Sequence, residues 1–463
     1  KVASHVARNH LCQVRQIVVV GRHQYLVVSN KRPGRCLDWP VSNLPTAQGT
    51  VPESSPIDRA TTLRRSLGLP MLTFYGLGTI VGGGFYALTG EVAAEAAMLT
   101  PWAFLASAGI ALFSAFSFAE LSARYPYSAG EARYVQEAFG RKWLAATIGW
   151  LVIATGVVSA ATLANAFAGF LQRFIDAPDW AIICPMVIGL GLVTAWGINE
   201  SAILALLVTL VEIGGLVFIV VVAGHHLPNV RARWSEMVPS FSTDQWSGIL
   251  MGAYLAFYSF IGFEDMVNVA EEVKRPKRNL PIAILLSVII SGLLYFVVSL
   301  VSVLAVPLEE LSASKSPLAL ALGDWQGAAA AITVIGMLAG LNGGLVQMVM
   351  SSRVVYGLAG KGHAPALFAN VNAATRTPLE ATLAVTVVVL VLALWFPITA
   401  LAKATSTILL VVFALVNLSL WRIKRREPEA PEEVPNYPIW LPIIGCGVCT
   451  AFLIFHAVAS FSI

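Results

Sequence analysis

The sequence predicts an all-α integral membrane protein of about eleven transmembrane helices, and three observations predict it. Of 463 residues, 57% are hydrophobic and 12% charged, about half the ~25% charge of an ordinary soluble domain. The apolar residues fall into charge-free runs of about 18 to 30, long enough at 1.5 Å rise per residue to cross a ~30 Å hydrocarbon layer. The Lys and Arg residues between the runs cluster in alternate loops, as they do when basic loops stay on the cytoplasmic side.

Taken in order, the charge-free runs are 66–90, 96–119, 143–172, 180–199, 201–211 continuing past Glu212 to 224, 245–263, 280–308, 325–352, 381–402, 404–421 and 438–463. Pro397, at the junction of the ninth and tenth, reads as a tight helical hairpin. The runs divide into a first set of five over 66–224, a second set of five over 245–421 and an additional helix over 438–463. Ahead of them, residues 1–60 are expected to be a cytoplasmic or disordered extension. That segment has no signal-peptide apolar core and mixes Arg and His with short β-like runs at 17–20 and 25–28.

With the segment before the first span inside, and leaving aside the seven basic residues of 1–58, eighteen basic residues lie on the inner side, from Arg59, Arg64 and Arg65 through Lys274, Arg275, Lys277 and Arg278 to Arg422, Lys424, Arg425 and Arg426. Only Arg173, Arg231, Arg233, Lys315 and Lys403 lie outside. One missed or invented helix would scramble that alternation, so the bias supports both the span count and a cytoplasmic N-terminus. It places the C-terminus outside and the protein in the plasma or inner membrane. The inner loops also account for the net charge of +4, and no nucleic-acid partner is expected. Five cysteines, Cys12, Cys36, Cys184, Cys446 and Cys449, suggest no disulfide framework; Cys446 and Cys449 read as small packing residues rather than a metal pair. No metal or cofactor is expected.

Gly and Pro inside spans carry the functional signal, because backbone polar groups bared in hydrocarbon must be satisfied by protein, water or substrate. The first span contains Gly82, Gly83 and Gly84 in succession. Gly78 and Gly82 have the spacing of a helix-packing motif, but three consecutive glycines exceed that need. An unwound segment fits better, its free amides at the start of a second half-helix holding a carboxylate. The sixth span carries Tyr258-Ser-Phe-Ile-Gly-Phe-Glu-Asp265, with Gly262 just before two acids. Carbonyls freed near Tyr258, Ser259 and Ile261 suit an ammonium group, with Tyr258 covering the substrate. Spans one and six open the two sets of five. Paired broken helices in corresponding positions point to an inverted-repeat transporter with a midplane site. The expected substrate site is therefore Thr79, Ile80, Gly82, Gly83 and Gly84 with Tyr258, Ser259, Ile261 and Gly262.

These motifs, taken together, resemble the amino acid, polyamine and organocation permease family. The resemblance runs from about Leu67 to Tyr437 and rests on six segments in the family order: 78–90, 118–126, 128–140, 197–201, 259–276 and 352–365. It implies the LeuT-type architecture of 5+5 inverted repeats with helices one and six broken. It also implies a substrate carboxylate at the amides of Gly82, Gly83 and Gly84, an amine at helix-six carbonyls, and Glu264 as a gate or pocket acid.

Ionisable side chains within spans are functional candidates, since burying them unpaired costs several kcal/mol. Glu212 stands alone in helix five, where many proton-coupled relatives resemble one another in carrying a lysine; here it is expected to titrate or to hold a cation. Glu264 and Asp265 point about 100° apart on a helix, with Glu264 expected to face the cavity and Asp265 a neighbouring helix. Glu120 and Arg124 read as a local i,i+4 pair, and Lys403 as a snorkelling side chain. Asn165, Asn342 and Gln347 are further polar candidates.

The reading is a secondary active transporter that carries an amino acid by alternating access, with a proton or other cation as coupling ion or exchange of one amino acid for another. The lipid bilayer and the small-molecule substrate are its expected partners. No nucleotide-binding P-loop string is present to bring ATP. The intramembrane acids lack the His or Cys partners of a catalytic set, so no enzymatic activity is expected. The alternatives are an amino acid sensor of the same fold without net transport, and a polyamine or organocation transporter.

Overall fold

In the computed structural model the described residues are 16–20 and 23–27 (backbone only), 65–127, 130–197, 202–372 and 375–461. The chain divides into two units, Lys1–Thr62 and Leu63–Ile463. Within the first, β1 (Gln16–Val20) and β2 (His23–Val27) form an antiparallel hairpin with Gln16 opposite Val27 and Val20 opposite His23. The disorder expected for the rest of 1–60 falls outside the described residues.

The second unit is helical. Its elements are α1 (Leu69–Ile80), α2 (Gly83–Ala96), α3 (Thr100–Arg124), α4 (Gly130–Phe139), α5 (Lys142–Leu171), α6 (Asp179–Trp196), α7 (Ala202–Ala223), the short α8 (Asn229–Ala232) and α9 (Trp234–Met237), and α10 (Thr243–Ala256). There follow α11 (Pro276–Ala305), the short α12 (Leu308–Ala313) and α13 (Pro317–Leu320), α14 (Gln326–Gly360), α15 (Leu379–Trp395), α16 (Ile398–Arg426) and α17 (Trp440–Phe461). Among the described residues nine helical stretches are long and apolar enough to span a membrane, and Leu69–Ile80 and Leu379–Trp395 are shorter apolar helices. The stretch Gly83–Arg124 holds the second half of the first predicted span and all of the second. Each of the eleven predicted spans thus has its helix, and the protein is an all-α multi-pass membrane protein.

Local chemistry sets the boundaries. Pro occupies the first turn of α1, α3 and α11, where its missing N–H leaves no helical bond unmade. Gly197 ends α6 in the left-handed region at φ 81°. Only Phe396 and Pro397 separate α15 from α16, giving the tight hairpin. Several helices outrun the charge-free stretches. α2 continues through Glu91 and Glu95, and α16 runs from before Lys403 to Arg426. Charges at these ends sit where side chains reach the interface or pair with one another.

Helix six departs furthest from a regular rod. α10 passes into a 3-10 turn over Phe257–Phe260, breaks at Ile261–Phe263, and resumes as a 3-10 helix over Glu264–Glu272. α11 packs along α3, and α5 along α14. The aromatic core lies around the second break: Phe85 stacks on Tyr295 with centroids 4.0 Å apart, and Phe263 packs against Phe118 and Phe413. At the end of the 3-10 helix, Ser66 and Leu67 amides donate to Glu272 O, and Lys274 N donates to Leu67 O, fastening the start of the first span to the end of the sixth.

Candidate functional site

The first break is two residues wide, Val81 and Gly82. Val81 N donates to Leu77 O and Gly82 N to Ile80 O, which closes α1; Gly82, extended at φ −92° and ψ −171°, then starts α2. The amides of Gly83, Gly84 and Phe85 open α2 and so have no intrahelical acceptor by position. Gly83 lies against Gly340 of α14, and a Cβ on Gly84 would come within 2.7 Å of the Tyr258 ring. Of the three sequence-predicted glycines, Gly84 is therefore the one shown next to helix six.

The second break depends on Gly262, whose φ of +120° is open only to glycine at low cost. A Cβ there would also collide with the carbonyl of Thr79, so α1 and helix six touch at their interruptions. Thr79 keeps its own hydroxyl on Gly76 O at 2.9 Å. Ile261 N donates to Tyr258 O at 3.2 Å, and Gly262 N donates to Glu264 Oε2 at 2.9 Å.

The carbonyls expected to be free are in part engaged. Tyr295, from α11, places its hydroxyl 2.9 Å from Ile80 O and 3.1 Å from Ser259 O, one backbone acceptor from each break. Each carbonyl keeps a second lone pair. Tyr258, expected to cover the substrate, bonds its hydroxyl to Ser159 of α5, through Oγ at 2.9 Å and the carbonyl at 3.2 Å. The hydroxyl of Ser259 is buried without a hydrogen-bond partner.

Over residues 67–462 the sequence matches the amino acid permease family. The chain belongs to that family. Its relatives include a vacuolar cationic amino acid transporter 4 of Arabidopsis thaliana, 30% identical over 79% of this chain and 64% of the relative. A methylthioribose transporter of Bacillus subtilis is 27% identical over 85% of this chain and 89% of the relative. A branched-chain amino acid permease of the same bacterium is 26% identical over 82% and 85%. The chain thus spans just under two thirds of the length of the plant transporter.

In this permease-family chain the acids are distributed differently from the sequence expectation. Glu264 and Asp265 both line one small cavity of about 10 Å³, together with Glu131 of α4 and Gln347 of α14. Sequence reasoning turned only Glu264 inward; both carboxyls reach the same cavity although a 3-10 helix turns adjacent side chains about 120° apart. Glu212 is not part of this group. It is 1% exposed, neither carboxyl oxygen has a hydrogen-bond partner, and its carbonyl accepts the Tyr86 hydroxyl at 2.6 Å. A separate cavity of about 130 Å³ between α7 and α14 is lined by Glu212, Leu207, Val208, Val211 and Leu338.

Other candidates have structural partners. Asn165 donates to Ala161 O and Ala393 O, tying α5 to α15. Lys403 pairs with Glu95 at 3.3 Å. Cys449 lies 3.6 Å from Ser114 Oγ, packing α17 on α3. Glu120 makes its i,i+4 pair with Arg124 at 2.8 Å and a second with Lys424 at 2.8 Å.

Sequence reasoning gave no role to Tyr295, Ser159 or Glu131. Tyr295 offered a faint signal, as a hydroxyl-bearing aromatic within an otherwise apolar span. Glu131 offered another, following Gly130 directly at the start of a helix.

Proposed function

We propose that the protein is a secondary transporter that moves an amino acid across a cell membrane, plasma or inner, with residues before the first span in the cytoplasm. One observation carries the reading: the two interruptions lie together, Gly84 at the start of α2 against Tyr258 and Ser259, and Gly262 against the Thr79 carbonyl; amides of Gly83 and Gly84 and carbonyls around Ser259 and Ile261 are the groups such a place offers a ligand. A zwitterion has the complementary pair of charges. Its carboxylate meets the positive end of α2, and its ammonium meets the carbonyl end of the first half of helix six.

Alternating access follows from the same arrangement. Four half-helices meet near one site, and rocking the set of helices that contains them exposes that site to one face and then the other. The spans before and after 224–245 act as two five-helix repeats in this scheme, and a proton gradient or amino acid exchange drives it. The relatives named for cationic and branched-chain amino acids support amino acids as the substrate class.

Reconstitution into proteoliposomes tests the proposal. Labelled amino acids supplied one at a time outside vesicles preloaded with the same compound should enter faster than into empty vesicles. Binding of an amino acid with no entry under any gradient would instead mark a sensor, and uptake of polyamines alone would move the substrate class.

A further inference from the structure

The small cavity beside the second break is lined by three carboxyl groups from two elements far apart in sequence. Glu264 and Asp265 come from the 3-10 half of helix six, and Glu131 from α4, which lies between the second and third spans. Glu131 gets there because Gly130 lets α4 begin directly on helix six: at φ +26° a Cβ on Gly130 would come within 2.6 Å of Val267 Cγ2. Glu264, Asp265 and Glu131 are 5%, 8% and 6% exposed.

Among the described residues no basic side chain lines this cavity. α5 contributes Thr155, whose hydroxyl donates to Leu151 O, and α16 contributes apolar Leu409 and Val412. α14 contributes Gln347, 7% exposed, whose Nε2 reaches Asp265 Oδ2 at 3.5 Å while its Oε1 has no partner. On α4 itself Tyr134 is an uncharged phenol, and Arg133 is paired with Glu137 at 2.7 Å on the exposed side. The unpartnered lining atom, Gln347 Oε1, is an acceptor.

Three ionised carboxylates without a cation would each cost several kcal/mol. The space, about 10 Å³, sits at the lower limit for one water, about 10–15 Å³, and excludes an ammonium or guanidinium side chain. We propose that Glu131, Glu264 and Asp265 form one shared proton-binding site, with Glu131 its link to the inner side of the membrane. Use of that proton to drive transport rests on the reading given above. Burial raises the Glu131 carboxyl, its backbone hydrogen bond opposes this and Asp265 adds to it, the result standing at about 7.

The sign of the pH effect follows. A carboxyl raised in the folded state stabilises that state below its ordinary value of 4.5 and loses this as pH rises through the folded value. Thermal unfolding of the purified full chain should therefore fall in midpoint between pH 4.5 and about 7, and Glu131→Gln, which stays neutral, should flatten the fall. In proteoliposomes E131Q should keep amino acid counterflow and lose stimulation by an inward proton gradient. Asp265→Asn removes the neighbouring charge and should move the unfolding transition with pH to lower pH; it serves also if E131Q does not fold. A wild-type pH slope in both variants overturns the proposal. So does a stabilisation by lysine or arginine that E131Q abolishes while the pH slope persists, since the cavity is then a side-chain subsite. Absence of transport of any amino acid would remove the transport reading and leave the unfolding measurement to decide the proton site.

Discussion

The hydroxyl of Tyr295 lies 2.9 Å from the carbonyl oxygen of Ile80, and the same hydroxyl lies 3.1 Å from Ser259 O. One hydroxyl hydrogen is thereby shared between the last carbonyl of α1 and the Ser259 carbonyl of the 3-10 turn, groups that a spanning helix would otherwise satisfy internally. Any movement that separates the two breaks must release at least one of these contacts. Tyr295→Phe keeps the ring stacked on Phe85 and removes only the donor. It should lower stability by about 1–3 kcal/mol, the cost of leaving a buried acceptor unmatched, read as a lower denaturation midpoint in detergent. Unchanged stability would mean that the two carbonyls do not depend on Tyr295.

Gly262 and Gly82 are both glycines at breaks, yet they should respond in opposite ways to the same substitution. Gly262→Ala places a methyl group on a residue at φ +120° and drives it into the Thr79 carbonyl, so strain and collision act together. Folded yield and uptake should both be lost. Gly82 has φ −92° and nothing within 4 Å of a Cβ. Gly82→Ala should fold normally, with any effect confined to a raised KM because the methyl group projects into space at the break. Size-exclusion profiles and uptake kinetics of the two variants separate these outcomes.

The positions of the spans and of both breaks were legible because hydrocarbon imposes long apolar runs, and consecutive or isolated glycines there have few other uses. The span ends were less so. A charge-free run stops at Glu264, whereas the helix continues to Glu272, and the sequence carries no mark that the continuation is 3-10. Tyr295 and Glu131 stayed hidden for another reason: their roles come from what α11 and α4 pack against, and the local signal each offers is too common to single it out. Lys424 counted in the sequence only as one of many inner basic residues. Its partner is 304 positions away, beyond the reach of any spacing rule.

That partner makes Glu120 the centre of a buried ion cluster. It accepts from Arg124, from Lys424 at both carboxyl oxygens, and from the Tyr437 amide at 3.0 Å, and it is 0% exposed. The cluster joins α3, α16 and the segment leading into α17. Lys424→Met removes one cation and strands part of the carboxylate charge, which should cost about 3–5 kcal/mol. Glu120→Gln should be comparably harmful because it leaves Lys424 buried. Glu120→Gln combined with Lys424→Met should recover part of the loss, since Lys424 then leaves no unmatched charge and Arg124 alone is without its acid. A double variant as unstable as the sum of the two single ones would show that the residues act independently.

Glu212 presents the opposite case, a buried acid whose carboxyl has no hydrogen-bond partner among the described residues. An ionised group so placed within a span costs several kcal/mol. In this state of the protein it is best accommodated neutral, and Glu212→Gln should therefore leave stability equal or raised. Transport should respond differently. If Glu212 ionises in another state of the cycle, the glutamine variant loses the dependence of uptake on pH; if it then holds a metal cation, the variant loses dependence on sodium. Measuring initial uptake rates across pH, with and without sodium, distinguishes the two. A variant with wild-type dependence on both would leave Glu212 as a packing residue, and the coupling role would pass to the acids beside Gly262.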